Sequence, residues 1–379
     1  MDICIIHLDL NKKGGAELVC IEIIEELQAD HNVVLITNSE PNFEELNDFY
    51  KTDVKAAIDT CVLPKNNWVI QSLTDIIKEV GLINLRRAVF NRLVNFCDSE
   101  FDVVISTDNE YCTGDDSIQF IHFPNFNREK TQNYIEQGGV THSIYHKVVK
   151  KIAGADPYCF SSDRLVANSN WTAGIVESVY HTEPEVIYPP VDTRPFYLVP
   201  WEDKEDGFVA VGRITPDKRW KLLIDIITRL RADGVGTHLH IVGPYNDEKY
   251  AKEVRELISN RDGVVLEGEL SRSKLVSLIC RHKYGIHGKK YEHFGLVVAE
   301  FVAGGAIPFV PDAGGQIEIV GEIDVLKYSS KEDAVSKATR VLSSPARQKK
   351  IIDSLPDVDT EFGRARFKSD VRELVESER

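Results

Sequence analysis

The chain alternates two kinds of segment, and the alternation stops once and then restarts. "ICIIHL" (3–8) is a short β-rich run, "NKKGG" (11–15) is a turn, and "AELVCIEIIEELQAD" (16–30) sets Val19, Ile23, Ile24 and Leu27 at helical spacing. "NVVLIT" (32–37), "DVVIST" (102–107), "SIQFIHF" (117–123) and "RLVANSNWT" (164–172) follow as further buried strands. Buried strands alternating with helices predict an α/β fold with a parallel sheet. The stretch "VIYPPVDTRPFYLVPWEDKEDG" (186–207) is rich first in proline and then in charge, and breaks the pattern. The pattern resumes with "FVAVGRI" (208–214), "KRWKLLIDIITRLRADG" (218–234), "THLHIVGP" (237–244) and "KYAKEVRELISNRDG" (249–263). "VVLEGEL", "YGIHGK", "AIPFV" and "VLKYS" carry it to residue 329.

Two doubly wound, Rossmann-like α/β domains are therefore expected, facing across a cleft, with ligands at the carboxyl ends of the strands. The expected boundaries are 1–190, a linker at 191–206, a second domain at 207–355, and a helical, charged segment at 356–379 that packs back on the first domain. A length of 379 residues suits two cores better than one.

A formal net charge of -15 argues against nucleic acid as the main partner, because phosphate binding needs a basic footprint. The seven cysteines form no C-x-x-C pair or zinc-type cluster, and read as reduced thiols of a cytoplasmic protein. The start "MDICIIHLDLNKKGG" lacks a signal-peptide pattern, and no stretch reaches the length of a membrane span. Two segments, 76–96 and 143–154, mix apolar residues with Lys and Arg. They read either as ordinary amphipathic helices or as a peripheral contact with the cytoplasmic face of a membrane, through Arg86, Arg87 and Arg92.

Four turns carry signals for chemistry. Gly14 and Gly15 separate the first strand from the first helix, where adjacent glycines let backbone N–H groups approach an anion; an ordinary tight turn fits equally. Neither a G-x-G-x-x-G fingerprint nor a P-loop is present, which removes the main cues for hydride transfer and Walker-type phosphate binding. Arg213 and Lys218, in "AVGRITPDKRW", follow the first strand of the second domain and can clamp a diphosphate, or form a solvated basic turn. His122 ends "QFIHFP" with the same parity as Phe120, as a core-edge histidine or a cleft group.

The fourth signal is "KKYEHFGLVVAE" (289–300). Glu292 lies in a turn, Phe294, Gly295 and Leu296 are expected as the first helical turn with free N–H groups, and Glu300 sits deeper in that helix. An acid beside "LVVA" needs polar partners, and sugar hydroxyls would serve. The literal D-x-D at Asp357 and Asp359 is far from these turns and reads as incidental.

The Glu292-x7-Glu300 frame resembles the signature of retaining glycosyltransferases of family 4, of the GT-B fold. "GGAE" (14–17), "GR-x4-K" (212–218) and "GGQIEIV" (314–320) join it in family order along nearly the whole chain. "FIHFP", "VANSNWT", "VIYPPVD" and "HGKKYEHFG" look like the eukaryotic α-1,2-mannosyltransferases that use GDP-mannose and dolichol-linked oligosaccharide. The resemblance implies a nucleotide-sugar donor, favouring GDP-mannose, a glycan or lipid-linked acceptor, and no cofactor or metal. A UDP-sugar donor, or a non-catalytic sugar-nucleotide-binding protein, are the alternatives.

The resemblance also implies roles. Arg213 and Lys218 would neutralise the leaving diphosphate. Gly14 and Gly15, with His293, Phe294, Gly295 and Leu296, would surround the donor, mainly through backbone. Glu292 would contact the transferred sugar and Glu300 the ribose. His122 would sit by the reacting face of the sugar, and backbone from Gly268 to Leu270 would read the base. Gly314 and Gly315 would be a structural turn. Because Glu292 and Glu300 come from one short segment, they would lie on one side of the ligand. That separates them from a glycosidase pair, whose carboxyls flank the bond.

Overall fold

The computed structural model describes residues 1–55, 58–63, 82–94, 101–113, 117–124, 131, 134, 149, 151–153, 163–259 and 261–378. The chain divides into two compact units, Met1–Pro190 with Arg364–Arg379, and Val191–Gly363. The stretch 191–206 thus belongs to the second unit rather than standing apart as a linker. The C-terminal segment divides at Gly363: residues up to it stay with the second unit.

In the first unit the strands are Asp2–Ile6 (β1), Asn32–Thr37 (β2), Asp59–Val62 (β3), Val103–Ser106 (β4), Ile118–Ile121 (β5), Arg164–Ala167 (β6) and Glu185–Val186 (β7). Among the described residues they form a sheet in the order β3-β2-β1-β4-β5-β6-β7, with parallel pairs throughout. β1 is central, and Ile3, Cys4, Ile5 and Ile6 are all buried, because both faces are covered. On one face Ile3, Ile5 and Leu35 meet Val19, Ile23 and Ile24 of helix Gly15–Leu27 (α1). On the other, Cys4 and Ile6 meet Phe90 and Val94 of helix Ile83–Val94 (α2).

The second unit has strands Glu205–Val211 (β8), Leu239–Val242 (β9), Val264–Gly268 (β10), His282–Ile286 (β11), Ile307–Pro311 (β12) and Lys327–Tyr328 (β13). Their order is β10-β9-β8-β11-β12-β13, again parallel. Helices Trp220–Ala232 (α3), Arg272–Arg281 (α4), Leu296–Ala303 (α5) and Gln316–Val320 (α6) bring in the residues discussed below. Gly243 Cβ, were it present, would stand 1.9 Å from the Gly212 carbonyl oxygen, so only glycine lets the ends of β8 and β9 approach this closely.

The last helix, Arg364–Glu376 (α7), returns to the first unit. Phe367, Val371 and Leu374 enter the core beside α1. Arg364 pairs with the buried Glu22 at 2.9 Å, and Lys368 and Arg372 pair with Glu25 and Glu26. Asp357 Oδ1 accepts the Asp359 backbone N–H at 3.1 Å, so the literal D-x-D is a helix cap.

Cys4, Cys20, Cys61 and Cys280 take part in no disulfide, but Cys112 is disulfide-bonded. The expectation of thiols throughout fails there, because spacing along the chain does not report which sulfurs the fold brings together. Among the described residues no helix is long and apolar enough to cross a membrane.

Candidate functional site

The carboxyl edge of the second sheet gathers most of the residues singled out in the sequence. After β8 the chain passes Gly212 and Arg213 into a one-turn 3-10 helix, Pro216–Lys218. Lys218 Nζ then reaches Glu292 Oε2 at 2.6 Å, in the loop after β11. The same carboxylate accepts from Lys289 Nζ at 3.2 Å and lies 3.1 Å from His287 Nε2. Burial opposes ionisation of Glu292, but Lys218 and Lys289 outweigh it and hold the carboxyl well below its ordinary value. Burial lowers His287 in turn, so at neutral pH the ring donates from Nε2 without adding charge. Two ammonium groups around one carboxylate leave the cluster with net positive charge. Arg213 stands close in sequence, exposed, and among the described residues no partner is seen for its guanidinium.

Several contacts fix this loop. A Cβ on Gly288 would lie 2.4 Å from the Lys218 carbonyl oxygen. Gly314 adopts φ +83°, and a Cβ there would lie 2.5 Å from the Glu292 carbonyl oxygen, while the Gly315 N–H donates to that oxygen at 2.8 Å. The glycine turn is therefore structural, and the structure it holds is the backbone of Glu292. Gln316 adds bonds to the carbonyls of Lys289 and Ala313, both at 2.9 Å.

Helix α5 begins at Leu296, with Gly295 as a left-handed cap at φ +107°. The expected first turn at Phe294, Gly295 and Leu296 thus starts later than predicted, because Gly295 leaves the helical region. His293 lies in the loop before it. Phe294 is buried, its ring 5.4 Å from that of Phe362. The first N–H groups of α5 still lack acceptors within the helix, as at any helix start. Glu300, half-buried, is bonded by Arg272 Nη1 at 2.6 Å. Burial outweighs that cation and raises the carboxyl above its ordinary value. The partner expected for this acid was a sugar hydroxyl; the chain itself supplies an arginine.

Gly268 ends β10 at φ +71° and accepts the Gly243 N–H at 2.8 Å. Leu270 packs with Val209, Leu278 and Phe301.

Gly14, Gly15 and His122 belong to the first unit. The Gly14 N–H is already bonded, by Glu17 Oε2 at 2.9 Å, and a Cβ on Gly14 would strike that oxygen at 2.6 Å. Glu17 caps its own helix, so an anion at Gly14 would face a carboxylate; α1 itself starts at Gly15. His122 follows β5, half-buried, with Nε2 3.0 Å from the Thr107 carbonyl oxygen. That oxygen only accepts, so Nε2 carries the proton, and burial keeps the ring's pKa low.

Two of the three arginines expected to meet a membrane do not face outward. Arg86 is buried and bonds Asp9 at 2.8 Å and Asn38 at 2.7 Å. Arg87 pairs with Asp108 at 3.4 Å and is largely enclosed. Helical phase turns them toward the sheet, and only Arg92 is exposed. Residues 76–81, 95–96 and most of 143–154 lie outside the described residues.

Sequence reasoning missed Lys289, His287, Arg272 and Gln316. Lys289 and His287 were visible within the same "HGKKYE" run; Arg272 and Gln316 are joined to the site only by the fold.

Two Rossmann-like units with parallel sheets define the GT-B class of fold, and solved structures agree. The protein of the crystal structure of Anabaena HepE in complex with UDP and glucose gives a TM-score of 0.70 at 15% identity, over 100% of both chains. WaaG, a glycosyltransferase involved in lipopolysaccharide biosynthesis, gives 0.64 at 14% identity, over 98% of this chain and 99% of that one. Residues 199–355 match the family model for glycosyl transferases group 1, and this part of the chain is such a domain. Among curated proteins, the GDP-Man:Man(3)GlcNAc(2)-PP-Dol alpha-1,2-mannosyltransferase of Mus musculus is 26% identical over 228 residues, covering 54% of this chain and 46% of that protein. The Homo sapiens protein of the same name is 25% identical over the same length and shares. The chain spans about half the length of the curated relatives it matches.

Proposed function

We propose that the chain is a retaining glycosyltransferase that moves mannose from GDP-mannose to a glycan or lipid-linked acceptor. The observation that carries this reading is the pairing of Lys218 with Glu292 at 2.6 Å, within a net-positive loop cluster at the carboxyl edge of the second sheet. Breaking the bond between the sugar C1 and a phosphate oxygen leaves an anionic nucleoside diphosphate. Lys218 and Arg213 supply charge to that leaving group, aided by the first N–H groups of α5; each such contact is worth about 3–4 kcal/mol in the transition state. The acceptor oxygen bonds to C1 from the same face, and its proton passes to a phosphate oxygen of the leaving group. With these cations in place, transfer needs no metal at the phosphates. Glu292, ionised and held by three donors, orients the sugar and Lys218 and is not a nucleophile. Glu300 meets the ribose after exchanging part of its bond to Arg272. Gly14 keeps only its capping role, its N–H already bonded to Glu17. The names of the Mus musculus and Homo sapiens relatives support the donor and acceptor classes.

A UDP-sugar donor is the second reading, favoured by the Anabaena HepE structures with UDP and with UDP-glucose. Calorimetry against GDP-mannose, GDP, UDP-glucose and UDP separates the two. Tighter binding of the guanine pair supports the first reading, and tighter binding of the uracil pair replaces it with the second. Donor binding without transfer or donor hydrolysis, by the wild type and Lys218→Ala alike, would mean a binding protein rather than an enzyme.

A further inference from the structure

The opposite side of the second unit's sheet carries a cluster that the donor site does not use. Glu205 opens β8, His238 precedes β9, His240 lies within it, and His282 opens β11. His238 Nε2 and His282 Nε2 stand 3.0 Å apart. Glu205 Oε2 is 3.6 Å from His282 Nε2 and 3.8 Å from His238 Nε2. One ring nitrogen from each of the three histidines lies within 4.8 Å of the others.

Two of these rings are oriented by a bond on their far side. His240 Nδ1 lies 2.6 Å from Glu267 Oε1, and His282 Nδ1 lies 2.7 Å from the Leu278 carbonyl oxygen. Both partners only accept, so each Nδ1 carries the proton and each Nε2 presents a lone pair. A carboxylate or carbonyl on the remote nitrogen is how metal-binding histidines are held. Gly207 makes the room: a Cβ there would lie 2.2 Å from His238 Nε2. The His238 ring therefore rests against β8 only because residue 207 has no side chain.

We propose that His238, His240 and His282 bind one Zn2+ ion, with Glu205 as the fourth ligand. Three imidazoles and a carboxylate suit this ion. In a tetrahedron with bonds of about 2.0–2.1 Å the ligand atoms stand about 3.4 Å apart. The separations among Glu205, His238 and His282, from 3.0 to 3.8 Å, bracket that value. Without the ion, an Nε2–H of His238 donates to His282 Nε2, and the proton holds the place of the cation. β9, β8 and β11 are neighbours in the sheet, so the ion would tie three adjacent strands. Lys218 and Glu292 follow the carboxyl ends of β8 and β11, so this site acts on stability rather than on transfer.

The test uses the untagged full chain, stripped with a chelator and titrated with ZnCl2 or CoCl2. One equivalent is expected to bind, with Co2+ giving the intense visible bands of a tetrahedral site. Zn2+ at a hundred times its Kd should raise the folding equilibrium constant about 100-fold, read as a higher Tm. His240→Gln should abolish this equivalent. Glu205→Gln, at an exposed side chain, should fold like the wild type and weaken Zn2+ on the order of 10-fold or more. A wild type without saturable binding, an octahedral Co2+ spectrum, or a Zn2+ affinity unchanged in Glu205→Gln and His240→Gln would overturn the proposal.

Discussion

Lys218 Nζ lies 2.6 Å from Glu292 Oε2, and this bond joins the turn after β8 to the loop after β11. A lysine on a flexible stem is an imprecise phosphate ligand. Bonded to Glu292, it keeps two N–H donors for a ligand and loses much of its freedom. The two residues should therefore act as one unit. Lys218→Ala is expected to lower the transfer rate by about 10²–10³, as for loss of one preorganised charge-stabilising donor. Adding Glu292→Ala should cost less than it does alone, with a coupling of about 0.5–3 kcal/mol in a double-mutant cycle on kcat/KM. Additive losses would mean that the bond has no part in catalysis.

Gly314 supports the same unit from below. Its φ of +83° and the 2.5 Å approach to the Glu292 carbonyl oxygen leave no room for a side chain. Gly314→Ala should destabilise the second unit by about 1–3 kcal/mol and weaken donor binding together. Urea melts and donor titration on one preparation check this. Unchanged donor affinity despite lost stability would separate the turn from the site.

The alternation of buried strands with helices was enough to read two parallel sheets, because period and burial are local properties of the chain. The spacing of Glu292 and Glu300 was legible for the same reason. What was not legible came from contacts across the fold. Arg272 lies 28 positions before Glu300, yet supplies its counter-charge. Glu17 takes the Gly14 N–H because the helix caps itself, and a glycine pair alone does not reveal that. Arg86 and Arg87 looked like a basic surface because composition carries no phase. Which way a helix turns its cations is set by what packs against it, here Asp9 and Asp108. The disulfide at Cys112 is a further case of pairing that spacing cannot give.

Lys204 gives a stability test in the second unit. It is buried and donates to the carbonyls of Cys280 and Gly304, at 2.5 Å and 2.8 Å, at the ends of α4 and α5. Burial lowers its pKa to about 8, from an ordinary 10.5. Between those values the unfolded chain binds more protons than the folded one, so this group's contribution to stability rises with pH across that window. Below pH 8 the ammonium is charged in both states and the contribution is at its minimum. Lys204→Met should lose about 1–3 kcal/mol through the two unsatisfied carbonyls. It should also lack the rise, so the gap between wild type and variant widens from pH 8 to pH 10. Urea melts across that range check this, and parallel curves would refute the titration of Lys204.

Arg86 and Arg92 separate a fold role from a surface role on one helix. Arg86 is buried on Asp9, and removing one partner of a buried pair strands the other's charge, at a cost of about 3–5 kcal/mol. Arg86→Ala should therefore lower the Tm of the first unit sharply, and any lost vesicle binding by that variant would report unfolding. Arg92 is exposed, so Arg92→Glu strands no buried charge and should lower Tm far less than Arg86→Ala. Pelleting with anionic vesicles at low and high salt then gives a clean reading. If α2 meets a lipid surface, Arg92→Glu should pellet less than wild type at low salt, and the difference should vanish as salt rises. Equal pelleting of the two folded proteins at low salt would exclude a membrane contact through this helix, and a lipid-linked acceptor would then have to be presented elsewhere.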